Sequence, residues 1–89
     1  MVKRLLISGR VQGVGYRYQM VDVARGLGLT GWVRNRRDGS VEAMVSGTPD
    51  AVEKIIAWAQ RGPGHAVVTA VETSEGSGSY TAFDTLPTD

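Results

Sequence analysis

Two stretches of the chain repeat apolar residues at a helical period, and each stands between short branched runs that suit strands. In the first, Met20, Val23, Ala24 and Leu27 follow the i, i+3, i+4, i+7 spacing of one helix face, with Arg17, Asp22 and Arg25 pointing elsewhere. In the second, Val52, Ile55, Ile56 and Ala59 repeat that spacing. The first helix runs from Tyr16 and stops at Gly28. The second opens with Thr48 as N-cap, Pro49 at the first helical position and Asp50 in the first turn, and it closes at Gly62-Pro63.

Val2 to Ser8 reads as a strand ending at Gly9, and its run Leu5-Leu6-Ile7 is apolar on both faces, as in the interior of a sheet. Thr30 to Asn35 and Ser40 to Ser46 read as a hairpin around Asp38-Gly39, a two-residue turn signal, with Val41, Ala43 and Val45 on one face. Ala66 to Glu72 supplies a fourth strand and Glu75 to Ser79 a flexible turn. Tyr80 to Thr85 pairs as a fifth, edge strand before Pro87. Strand, helix, strand, strand, helix, strand is the split βαβ order. It predicts an α+β, ferredoxin-like fold, an antiparallel sheet with two helices packed on one face. A chain of 89 residues should form a single domain, 1–89, with one core. The fold hosts unrelated activities, so the function has to be read from side chains.

The chain has no cysteine and one histidine, which leaves no disulfide, thiolate nucleophile or multi-histidine metal cluster, and neither metal nor cofactor is expected. Leu5 to Ile7 is too short for a signal-peptide core, and no run approaches the roughly 18 apolar residues of a membrane span. A cytoplasmic location with no membrane partner is therefore expected. Charge is unevenly placed. Residues 1–40 carry eight Lys or Arg against Asp22 and Asp38, a balance of +6, whereas residues 41–89 stand at −5, giving +1 in all. An anionic ligand should approach the first half.

Gly9-Arg10-Val11-Gln12-Gly13-Val14-Gly15-Tyr16-Arg17 joins a strand to a helix and holds three glycines. Without Cβ atoms, successive N–H groups can converge on one concavity, and the helix N-terminus adds partial positive charge. Together these make a phosphate-sized anion site, although a tight turn alone would also use glycines. Arg17 lies in the first helical turn, where the dipole disfavours a cation by about 0.3–1 kcal/mol. A phosphate bound by the guanidinium fork would compensate. Asn35 sits two residues after Val33 and leaves its strand on the same, helix-side face. Its carboxamide can accept a hydrogen bond from water but is too weakly basic to deprotonate it. His65 reads as a surface residue and Trp32 and Trp58 as packing residues. Arg34, Arg36 and Arg37 read as an exposed hairpin rim.

Gly9 to Arg17 and the segment Gly31-Trp32-Val33-Arg34-Asn35-Arg36-Arg37-Asp38-Gly39-Ser40-Val41 together resemble the acylphosphatase family closely, with a looser match at Gly62 to Val68. The resemblance implies a ferredoxin-like enzyme, acting as a monomer, that hydrolyses a small-molecule acyl phosphate to carboxylate and inorganic phosphate without metal or covalent intermediate. It implies that the amides of Gln12, Gly13, Val14, Gly15 and Tyr16 bind the phosphate, that Arg17 clamps it, and that Asn35 holds the attacking water. The chain departs from the family at Phe83-Asp84-Thr85-Leu86-Pro87, where members often carry an aromatic, a branched residue, Arg and Tyr. That departure puts the last strand in question. Two other readings share these residues. One is a non-catalytic phosphate- or carbamoyl-phosphate-binding module, against which stands the lack of any linker or second domain in the chain. The other is an RNA-binding ferredoxin-like domain, whose stacking strand motif is missing, so no nucleic-acid partner is expected.

Overall fold

Strand β1 (Val2–Arg10) lies in the interior of a sheet as expected, but its apolar run is not buried on both faces: Leu5 and Ile7 are fully buried and Leu6, on the opposite face, is only half-buried. The structure is a computed structural model and describes all 89 residues. Helix α1 (Tyr16–Gly26), the hairpin strands β2 (Thr30–Asn35) and β3 (Val41–Ser46), helix α2 (Pro49–Ala59), and strands β4 (Val67–Glu75) and β5 (Phe83–Thr85) follow in that order. The sheet runs β4-β1-β3-β2-β5. Leu5, Ile7, Val33, Val41, Ala43 and Val45 meet Tyr16, Met20 and Ala24 of α1 and Val52, Ile55 and Ala59 of α2. None of these is more than 1% exposed. Both helices thus cover the same sheet face, and their periods are the ones read from the sequence. No helix is long and apolar enough to cross a membrane.

Four details differ from the sequence reading. The sheet is mixed, because β5 pairs parallel to β2, with Gly31 opposite Phe83 and Val33 opposite Thr85. Only Phe83 to Thr85 of the expected Tyr80–Thr85 strand pairs, and Phe83 fills the core at 1% exposure. Strands β1 and β4 also run longer than expected. β1 continues through a bulge at Ser8/Gly9 to Arg10, and β4 extends to Glu75, which lies opposite Lys3 and is ion-paired with it. Finally, the hairpin loop has three residues. A type I′ turn needs positive φ at both central positions, yet no residue other than glycine has positive φ. Instead Gly39 (φ 95°) follows a turn closed by its N–H to the Arg36 carbonyl at 3.1 Å, and Arg36 N–H donates to the Ser40 carbonyl at 2.9 Å. Asp38 accepts from the Ser40 N–H (2.9 Å) and hydroxyl (2.6 Å), and the hydroxyl bond foremost lowers its carboxyl pKa.

That loop sets Arg34 opposite Glu42. Glu42 lies on the sheet face away from the helices, yet its side chain is only 5% exposed. Arg4 Nε donates to it at 2.6 Å, Arg34 Nε at 2.8 Å and Arg36 Nη1 at 3.2 Å. Asp89 lies 3.9 Å from Arg34 and 3.4 Å from Arg36. Arg34 also lies 5.0 Å over the Trp32 ring. Burial alone would raise the Glu42 carboxyl, but the hydrogen bonds and charges of Arg34 and Arg4 outweigh it and hold it below the usual carboxylate range. A depressed pKa contributes stability above the unfolded value near 4.5, and that contribution fades as pH falls through the folded value. Glu42→Gln is therefore expected to cost about 1–3 kcal/mol in urea unfolding at pH 7. The deficit should shrink at pH 3, and a deficit independent of pH would contradict the charged cage.

Candidate active site

The two helices are equally long, but they begin differently. Thr48 caps α2 by accepting from the Ala51 N–H at 3.2 Å, and Asp50 stands in its first turn. Helix α1 starts at Gly15 (φ 81°) with no side-chain cap and no acidic residue in its first turn. Gln19 N–H to the Gly15 carbonyl, 3.1 Å, is a first-turn bond of this helix, so the amides of Tyr16, Arg17 and Tyr18 precede any helical acceptor. Gly13 (φ 74°) and Gly15 are both left-handed, which curls the loop after β1 back over this helix end. The result is a group of donors at the positive end of a helix with no anion of the protein's own.

Asn35 meets this loop from the other side. At the end of β2 it lies opposite Val41 on the core face. It lines a cleft of about 150 Å3 together with Val11, Gly13, Gly15, Tyr16, Arg17 and Tyr18. Its Oδ1 is buried and has no hydrogen-bond partner. An unpaired buried carbonyl oxygen costs about 1–3 kcal/mol, and water or a ligand entering the cleft would remove that cost. Arg17 takes part in none of the eight ion pairs. The fold thus brings an unpaired guanidinium and an unpaired carboxamide to one small cavity.

The remaining loop residues divide by side chain. Tyr16 turns its ring into the core, donates its hydroxyl to the Ala59 carbonyl at 2.8 Å and packs 5.2 Å from Trp58. Burial pushes its phenol well above the usual tyrosine range, so the residue offers the cleft only its backbone. Val14 packs against the core in the same way. Gln12 Nε2 donates to the carbonyls of Arg36 (2.7 Å) and Ser40 (2.9 Å), which ties the loop to the hairpin that carries Asn35. Sequence reasoning missed this tie because nothing local links Gln12 to residues 24 and 28 positions away. Missed too was the depression of about 570 Å3 on the loop's other side, lined by Arg10, Gln12, Gly13, Val14 and His65. Arg34 and Arg36 are not a free rim, because Glu42 engages both.

A family model described as Acylphosphatase matches residues 3–85. The chain belongs to the acylphosphatase family. Among its relatives, an acylphosphatase of Albidiferax ferrireducens is 54% identical over 80 residues, covering 90% of this chain and 87% of that one. In structure, the acylphosphatase of Bacillus subtilis superposes with a TM-score of 0.90 at 32% identity, over 97% of this chain and 99% of that one. A full-length HypF in a phosphate- and nucleotide-bound form also superposes with a TM-score of 0.90. There the identity is 26%, over 99% of this chain but 12% of that one. The acylphosphatase match at 3–85 includes the glycine loop, Arg17 and Asn35.

Proposed function

We propose that this protein hydrolyses acyl phosphates to a carboxylate and inorganic phosphate, with the phosphate held by the loop from Gln12 to Tyr16 and by Arg17 and the water held by Asn35. The observation that carries this reading is the buried, unpartnered Asn35 Oδ1 facing a cleft shared with Arg17 and the open end of α1. Loop amides and the guanidinium fork neutralise the phosphate oxygens, and Asn35 Oδ1 accepts a hydrogen bond from the water. The water oxygen bonds to phosphorus as the bond from phosphorus to the bridging oxygen breaks. The carboxylate leaves with that electron pair, and a phosphate oxygen takes the water proton. Catalysis is then positioning and electrostatic stabilisation, with no protein base and no role assigned to a metal or cofactor.

On this reading the chain works as one domain, 1–89, a monomer in the cytoplasm acting on a small molecule, without nucleic acid. The likeness to part of HypF favours one other reading, a domain that binds a phosphorylated ligand without turning it over. Loss of benzoyl phosphate absorbance in excess chelator separates the two. Turnover above the spontaneous rate supports the hydrolase, whereas phosphate binding without turnover replaces it with the binding module.

A further inference from the structure

We propose that the acyl group of the substrate lies in a groove along α1, between Tyr18 and Thr85, and that Tyr18 selects flat, uncharged aromatic acyl groups. This rests on the hydrolase reading and names the substrates it prefers. The groove has a volume of about 320 Å3 and is lined by Arg17, Tyr18, Val21, Asp22, Arg25 and Thr85. Tyr18, Val21, Asp22 and Arg25 follow i, i+3, i+4, i+7 along one strip of the helix, and Thr85 forms the facing wall because β5 pairs beside β2. The phosphate cleft shares Arg17 and Tyr18 with this groove. In a mixed anhydride one bridging oxygen separates phosphorus from the acyl carbon, so an acyl group entering the groove keeps its phosphate at Arg17.

Tyr18 is 81% exposed, the most exposed large apolar side chain of the protein. It carries no packing duty, which its neighbour Tyr16 performs. Its ring offers an open face to a planar acyl group. With Arg17 committed to the phosphate, the groove keeps no free cation for an anionic acyl chain. Asp22 lines it, and Arg25 is already engaged by the Phe83 carbonyl at 3.2 Å and by Asp84 at 3.8 Å. The depression at Arg10 and His65, by contrast, shares only Gly13 with the cleft, and its one ring is the imidazole of His65, with neither Arg17 nor Tyr18 in its wall.

The test compares kcat and KM for benzoyl phosphate and acetyl phosphate in the parent, Tyr18→Ala, Tyr18→Phe and Thr85→Trp. In Tyr18→Ala the ratio of kcat/KM for benzoyl over acetyl phosphate is expected to fall about three- to tenfold through KM for benzoyl phosphate. Tyr18→Phe should keep the ratio, and Thr85→Trp, on an exposed residue of the facing wall, should lower it. An unchanged ratio in Tyr18→Ala overturns the proposal. So does a ratio that responds instead to Arg10→Ala, which would place the acyl group in the other depression. A parent that hydrolyses neither substrate overturns the hydrolase reading itself, whereas one that hydrolyses both with no dependence on Tyr18 overturns the groove alone.

Discussion

Arg17→Ala is expected to lower kcat/KM for benzoyl phosphate about a thousandfold or more while leaving the protein folded and slightly more stable. The two effects have one cause. Arg17 stands in the first turn of α1, where the helix dipole opposes a cation, and no carboxylate of the protein offsets it. Removing the side chain should therefore raise stability by about 0.3–1 kcal/mol. The same position places the guanidinium against the phosphate oxygens, where charge redistributes during transfer. Arg17→Lys should recover only part of the activity, because an ammonium cannot present the planar fork. Steady-state kinetics and urea unfolding of both variants check this. Unchanged kinetics, or a loss of stability in Arg17→Ala, would place Arg17 in the scaffold instead.

Gly31→Ala is expected to be the most damaging single-methyl change to the fold. Gly31 lies in β2 between β3 and β5, opposite Val45 and Phe83, with φ at 136°. A Cβ built there would lie 1.8 Å from the Met44 carbonyl oxygen and 2.8 Å from the Met44 carbonyl carbon. Those are backbone atoms held in the β2–β3 ladder, so relief requires parting the strands. Conformational strain and overpacking together should cost about 3 kcal/mol or more, a large part of a small domain's stability and a fall in Tm of roughly 10 °C or more. Gly39→Ala is the matched control. Its φ of 95° is also positive, but nothing lies within 4 Å of its Cβ, so only the conformational cost of about 1–2 kcal/mol remains. Similar losses in the two variants would show that φ, not the close approach to Met44, makes Gly31 necessary.

The architecture was legible because each helix announces its buried face and β1 announces its interior place. Its errors come from pairing, which no local pattern encodes. Asp38-Gly39 read as a two-residue loop would set Asn35 opposite Glu42, whereas the three-residue loop sets Arg34 there and Asn35 opposite Val41. A signal for the correct register did exist. Val33 must share a face with Val41, Ala43 and Val45, and directly opposed residues share a face, so only a loop with an odd number of residues fits the apolar pattern. The Asp38-Gly39 dipeptide suits a three-residue loop ending in a left-handed glycine as well as a two-residue one. Glu42 was illegible for a related reason, since its cage takes Arg4 from β1 and Arg34 and Arg36 from the hairpin once the registers are set. The parallel pairing of β5 rests on Phe83 reaching the core beside Gly31, a tertiary contact with no periodicity in three residues. For the site, the glycine loop, Arg17 and Asn35 were visible in the sequence, and the structure brings them to one cleft. The role of Gln12 was not, because its carboxamide acts across the fold on the hairpin.

Whether Asn35 positions water beside a phosphate held by other groups is decided by measuring benzoyl phosphate turnover and inorganic phosphate affinity in the parent and Asn35→Ala side by side. The parent is expected to turn over in excess chelator, and Asn35→Ala to lose about two to three orders of magnitude in kcat. Its affinity for phosphate should stay within about threefold of the parent, because loop amides and Arg17 hold the anion. Equal loss of rate and phosphate affinity, or a variant as fast as the parent, would contradict that role for Asn35.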